Sequence, residues 1–120
     1  MSQTRQSIGR WGENTAADFI TQKGYIILGR NVRTPYGEID LVAQKEGCTV
    51  FVEVKTRTTK LFGAPEVAVS KRKQDHMTAS AEYYFQNHPD MSGEWRIDVI
   101  SIETDRRGSS TVITHFENAI

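Results

Sequence analysis

The chain predicts an α/β fold, one five-stranded mixed sheet flanked by two helices in the order α-β-β-β-α-β-β. Three observations predict it. Two stretches carry apolar residues at helical spacing, a central pair of runs alternates with period two, and two further β-rich runs follow the second helix. No linker, internal repeat or low-complexity segment interrupts residues 1–120, which read as a single domain of ordinary size.

The first helix is expected from Ser7 to Gln22, with Ser7 as N-cap and Gly24 as the stop. Glu13, Ala16, Ala17 and Ile20 fall on one of its faces, so an acid stands on an otherwise small and apolar stripe. A strand follows over Tyr25 to Val32. The next two strands form a hairpin: Tyr36 to Ala43, then Val50 to Lys55, turned at Glu46-Gly47. In that register Ile39 faces Val54, Leu41 faces Val52 and Ala43 faces Val50, all on one face, because a slip of one residue would put valines among charges. Thr58 to Pro65 reads as a loop. The second helix is expected from Glu66 to Asn87, stopped by His88-Pro89, with Lys73, Met77, Ala81 and Tyr84 on one stripe. Trp95 to Ile102 and Thr111 to Phe116 complete the sheet across a turn at Asp105 to Ser110.

The same hairpin register sets Asp40 opposite Glu53 and Glu38 opposite Lys55. Directly opposed carboxylates, with Cβ atoms roughly 4.5–5.5 Å apart, repel. A divalent cation between them removes the conflict. Mg²⁺ or Mn²⁺ takes hard oxygen ligands, which Asp40, Glu53 and the backbone carbonyl of Val54 supply. Lys55 shares the Glu53 face, where an ammonium can hold an attacking water and offset charge on a phosphate. Such a site suits phosphodiester hydrolysis. The basic run that continues through Arg57 to Lys60 is placed to meet a nucleic-acid backbone, and Lys73 can extend toward the same cleft. Glu38 is read as a support that pairs with Lys55. The same string also fits a solvated charged face with no metal, and Arg57 and Lys73 fit ordinary surface residues.

Composition narrows the alternatives. Fifteen basic residues balance fifteen acidic ones, so bulk charge does not drive nucleic-acid binding, although local basic surface remains possible. Cys48 is the only cysteine, and neither a membrane-spanning run nor a signal-like N-terminus is visible, which points to the cytoplasm. His76, His88 and His115 lack zinc-ligand spacing, and no Gly-rich phosphate loop precedes a helix. Trp11, Tyr83, Tyr84, Phe85 and Trp95 read as core or interface; any of them could stack on a base, and the sequence does not select one.

Gly37-Glu38-Ile39-Asp40-Leu41-Val42 followed by Phe51-Val52-Glu53-Val54-Lys55-Thr56-Arg57 resembles the core motif of the bacterial YraN family of uncharacterised proteins. Gly9, Gly12-Glu13 and Ala16, then Gly24-Tyr25 with Asn31 and Arg33, and later Phe62-Gly63, Pro65, Ala68-Val69 and Lys73 extend the resemblance over Ile8 to Ile102. That family is similar to the PD-(D/E)XK nuclease superfamily, particularly archaeal Holliday-junction resolvases. The resemblance implies a restriction-endonuclease-like fold, a single nuclease-like domain and metal-dependent endonucleolytic cleavage of structured or branched DNA. It makes Asp40 and Glu53 metal ligands, Lys55 the catalytic lysine and Glu13 the helix acid that joins the metal site directly or through water. Ile39 stands where the superfamily often has proline. The resolvase analogy implies a homodimer. The alternative is a nucleic-acid-binding module of nuclease ancestry that no longer cuts and acts with a partner.

Overall fold

The central hairpin forms in the expected register from its turn as far as Leu41 and Val52, and the expected pairs Ile39–Val54, Asp40–Glu53 and Glu38–Lys55 are not part of the ladder. Leu41 pairs with Val52, Ala43 with Val50 and Lys45 with Cys48. Glu46 and Gly47 make the turn with φ of 51° and 78°, both positive as a two-residue type I′ turn requires. The computed structural model describes residues 5–58, 69–91, 93–105 and 110–120. Its elements are α1 (Arg5–Gln22), β1 (Ile26–Thr34), β2 (Gly37–Lys45), β3 (Cys48–Thr58), α2 (Lys71–Gln86), β4 (Trp95–Thr104) and β5 (Thr111–Phe116). The sheet runs β1-β2-β3-β4-β5, and every neighbouring pair is antiparallel except β3 with β4. A parallel pair needs a crossover, and the connection between β3 and β4 carries α2. No helix among the described residues is long and apolar enough to cross a membrane.

Both faces of the sheet are covered. On one, Ala16, Ala17 and Ile20 of α1 pack with Leu41, Ala43, Val50, Val52, Ile100 and Ile102. On the other, Ala81 and Tyr84 of α2 pack with Val42, Phe51 and Ile97. Ile39 joins this second cluster, not the Leu41 side that strict alternation predicts. Two local departures explain the change of side. Asn31, which stands across from Asp40 in the β1–β2 register, adopts a left-handed φ of 49°. The described β2–β3 ladder also ends at Leu41 with Val52, so β2 is free to rotate about Asp40.

The helix ends differ from expectation where capping chemistry was misassigned. α1 already includes Arg5 and Gln6, both good helix formers, so Ser7 lies inside the helix and is not its cap. At the other end the expectation holds. The Tyr25 N–H donates to Ile20 O and the Gly24 N–H to Thr21 O, each at 3.0 Å, a Schellman closure with Gly24 in the left-handed position. α2 starts at Lys71 and not at Glu66, because Ser70 is the N-cap and its hydroxyl accepts the Lys73 N–H. Residues 66–68, like most of the Thr58-to-Pro65 loop and Lys60 within it, lie outside the described residues.

α1 approaches the sheet closely at Gly12, where a Cβ would lie 1.9 Å from Thr56 Oγ1. Only a hydrogen fits there, and the contact sets the height of Glu13 over the sheet. Gly12→Ala is therefore expected to lower stability by about 1–3 kcal/mol, as overpacking does. Urea unfolding of the variant beside wild type measures this, and an unchanged midpoint would contradict the packing.

Candidate metal centre

Two elements deliver three acids to one place. Glu13 projects from the inward stripe of α1, one turn before buried Ala16 and Ala17. Asp40 and Glu38 come from β2, just where that strand departs from regular geometry. One carboxylate oxygen from each of Glu13, Glu38 and Asp40 lies within 4.8 Å of the others. Two oxygens bound to one cation at about 2.1–2.5 Å can stand up to about 4–5 Å apart, so this spread suits a single divalent ion with little adjustment. Glu38, expected to support Lys55, is thus brought to the acids themselves.

Asp40 is half-buried, and its Oδ2 accepts the Val54 N–H at 2.8 Å. In the continued hairpin register that donor would bond the main chain of residue 39; the carboxylate has taken its place. The N–H and C=O of one strand residue leave the same edge, so the Val54 carbonyl also faces β2, as its expected role as an oxygen ligand requires. Burial pushes the Asp40 carboxyl up to about 7, and the negative charges of Glu53, Glu13 and Glu38 push the same way against the Val54 hydrogen bond. Without a cation the cluster thus holds a proton that an ordinary aspartate would have lost.

The remaining predicted residues are distributed around this cluster. Glu53 lies near enough to raise Asp40, but its Oε1 is 3.2 Å from Lys73 Nζ on α2. The lysine therefore reaches the cleft, as its position on the α2 stripe predicts. With the Lys73 side chain about half exposed (49%), such a pair contributes roughly 0–1 kcal/mol and exchanges readily for another cation or a phosphate. Lys55 is half-buried on β3 and pairs with Ser101 of β4. The Arg57 guanidinium is bonded to Glu103, a carboxylate buried in β4, while just over half of the arginine side chain (55%) stays exposed.

A second charged assembly was not anticipated. Asp98 on β4 is fully buried and accepts four hydrogen bonds: from Arg96 Nε at 2.9 Å and Arg96 Nη2 at 3.3 Å, from His115 Nε2 at 2.8 Å, and from the Asn118 N–H at 2.9 Å. Lys23 Nζ stands 2.8 Å from the opposite ring nitrogen of His115, which fixes the neutral ring as the Nε2–H tautomer. Burial pushes the Asp98 carboxyl up, but the bonds from His115, Arg96 and Asn118 outweigh it and hold the group below the usual range. Every oxygen is already satisfied by protein, so this assembly ties β4, β5 and the end of α1 together and offers no place for a metal. Its one trace in the sequence is an acid inside the apolar run Ile97-Asp98-Val99-Ile100.

Residues 12–102 match the model of the Uncharacterised protein family UPF0102. A UPF0102 protein of Syntrophomonas wolfei is 44% identical over 114 residues, covering 95% of this chain and 97% of the relative. One from Syntrophotalea carbinolica is 40% identical over 119 residues, covering 99% and 95%, and one from Dictyoglomus thermophilum is 39% identical over 103 residues, covering 86% and 87%. With a match that spans the acid cluster, the second half of α1, all of α2 and most of the sheet, the chain belongs to the Uncharacterised protein family UPF0102.

Proposed function

We propose that this protein is a divalent-cation-dependent endonuclease that hydrolyses phosphodiester bonds in structured or branched DNA. The observation that carries the reading is the convergence of Glu13, Glu38 and Asp40 on one another, near Glu53, with Asp40 half-buried among like charges. Acids kept this close gain nothing for the fold, and a cation is what makes their proximity favourable. Asp40, Glu53 and the Val54 carbonyl would hold Mg²⁺ or Mn²⁺, and Glu13 would join directly or through water. A cation bound there would supply Lewis-acid chemistry for phosphodiester hydrolysis. Lys55 orients the attacking water and offsets charge that builds on the phosphate oxygens. Glu38 supports the cluster, and Lys73, Arg57 and Lys60 take neighbouring phosphates of the backbone. The likeness to resolvases in the PD-(D/E)XK superfamily supports a restriction-endonuclease-like domain and a homodimer, because symmetric cutting of a junction needs two sites.

One observation favours a second reading. The Lys73 ammonium already neutralises Glu53, as it would in a binding module that has given up cleavage. A labelled panel of duplex, single strand, flap, four-way junction and RNA, incubated with Mn²⁺, Mg²⁺ or EDTA, separates the two. The nuclease reading expects metal-dependent cuts that fall at least 100-fold in Asp40→Asn and Lys55→Ala proteins. Folded protein that binds the panel but cuts none of it belongs to the second reading.

A further inference from the structure

Among the described residues only three aromatic side chains are exposed: Trp11 (39%), Tyr36 (51%) and Tyr83 (37%). All three lie at the acid end of the molecule. Trp11 is two residues before Glu13, Tyr36 is two residues before Glu38, and the Tyr83 ring stands 6.3 Å from that of Tyr36 at 71°. The fold does not need them there. Tyr84, next to Tyr83, already supplies the aromatic that α2 gives to the core, where it meets Phe51 edge-on.

The tyrosine pair is held in place rather than left to swing. Thr34 Oγ1 accepts the Tyr36 N–H at 3.1 Å, donates to Gly37 O at 2.7 Å and is hydrogen-bonded to Ser80 Oγ at 2.9 Å. Ser80 is buried on α2, so the turn that carries Tyr36 is tied to the helix that carries Tyr83. The exposed charges near the pair are of both signs, Glu38 and Glu82 as well as Arg33. Arg33 is exposed on β1, and Lys73 reaches into the cleft from the same helix, ten residues or about 15 Å along its axis from Tyr83. An apolar protein partner would want a broad greasy surface. This patch is two phenol rings beside the Thr34 and Ser80 hydroxyls, with charges of both signs around them.

We propose that Tyr36 and Tyr83 form a stacking platform for an unpaired nucleobase, so that the site takes substrates with a single-stranded segment in preference to continuous duplex. The inference rests on the nuclease reading for where the backbone runs, at the acid cluster, and adds the substrate class. Base stacking on an aromatic is sequence-tolerant, so the platform selects strandedness and not sequence.

The test is a fluorescence titration of the full chain with a single-stranded oligonucleotide carrying 2-aminopurine, and with the same strand in a duplex, both in Ca²⁺. Wild type is expected to quench the single strand and bind it more tightly than the duplex. Tyr36→Ala and Tyr83→Ala should each weaken single-strand binding about 5- to 150-fold and remove the quenching, with duplex binding unchanged. Tyr36→Phe and Tyr83→Phe should retain both. Alanine variants that unfold like wild type yet bind and quench within twofold of it would overturn the proposal, as would a wild type that binds duplex equally well without quenching. Quenching that depends on the tyrosines, in a protein that cuts nothing, sustains the platform and removes the nuclease. Metal-dependent cutting indifferent to both tyrosines does the reverse.

Discussion

Asp40→Asn protein is expected to be more stable than wild type at pH 8 in EDTA, and to lose all stabilisation by Mn²⁺. The folded state raises the Asp40 carboxyl from 3.8 to about 7. Between those values the native protein holds a proton that the unfolded chain releases, so native stability falls as pH rises from about 4 through 7. Above pH 7 the full penalty is present. At about 1.4 kcal/mol per unit the ceiling is about 4 kcal/mol, and solvent access to this half-buried group brings the expected figure to about 1–3 kcal/mol. Asparagine keeps the shape, accepts the Val54 N–H through its amide oxygen and carries no charge, so the pH slope should vanish with the penalty. A cation that binds only the native wild type should restore about 2.7 kcal/mol at one hundred times its dissociation constant. Urea midpoints at pH 5 and pH 8, with and without Mn²⁺, read all of this. A wild type whose stability is flat across that range would contradict the clustering of charge.

The largest loss of stability should come from the other end of the sheet. Asp98→Ala takes the carboxylate from Arg96, which keeps the Tyr25 hydroxyl, strands the His115 N–H on a side chain that is nearly buried, and leaves the Asn118 N–H without its acceptor. Breaking a buried charged assembly in this way costs about 3–5 kcal/mol, a large part of the whole stability of a domain this size. The sign of its pH dependence is opposite to that of Asp40. The folded Asp98 carboxyl lies below its unfolded value, so its contribution is present above about pH 4 and is lost as pH falls through the lowered value. Because Asp98 touches neither Glu13 nor Asp40, Mn²⁺ should still stabilise the Asp98→Ala protein by the wild-type increment. An Asp98→Ala variant within 1 kcal/mol of wild type would show that the assembly does not hold β4, β5 and α1 together.

What could be read from the sequence, and what could not, follows from which forces are local. The hairpin was legible because strict alternation and Glu46-Gly47 both report short-range geometry, and together they specify one register. The inward placement of Glu13 followed from helical spacing, and Lys73 followed from the stripe it shares with Met77 and Tyr84. The side taken by Ile39 was hidden, because it depends on a left-handed Asn31 in a neighbouring strand. Ser70 lost the start of α2 to Pro65 for a simple reason: proline marks the opening of many helices, and a serine among polar residues does not stand out. Asp98 was passed over because two of its three partners, His115 and Asn118, lie 17 and 20 residues away along the chain, and nothing local announces them. Helical spacing already put Tyr84 on the stripe with Met77 and Ala81, whereas Tyr83 stayed ambiguous until packing left it at the surface.

Calorimetric titration of Mn²⁺ into wild type and Asp40→Asn protein at pH 7, repeated in two buffers of different ionisation enthalpy, tests the central claim most directly. An Asp40 carboxyl near 7 is about half protonated there, and a cation that binds it must displace that proton. The account predicts saturable binding to wild type with release of about half a proton, no release at pH 8.5, and no binding to Asp40→Asn. Wild-type protein that binds no Mn²⁺, or an Asp40→Asn protein that binds it equally well, would contradict it.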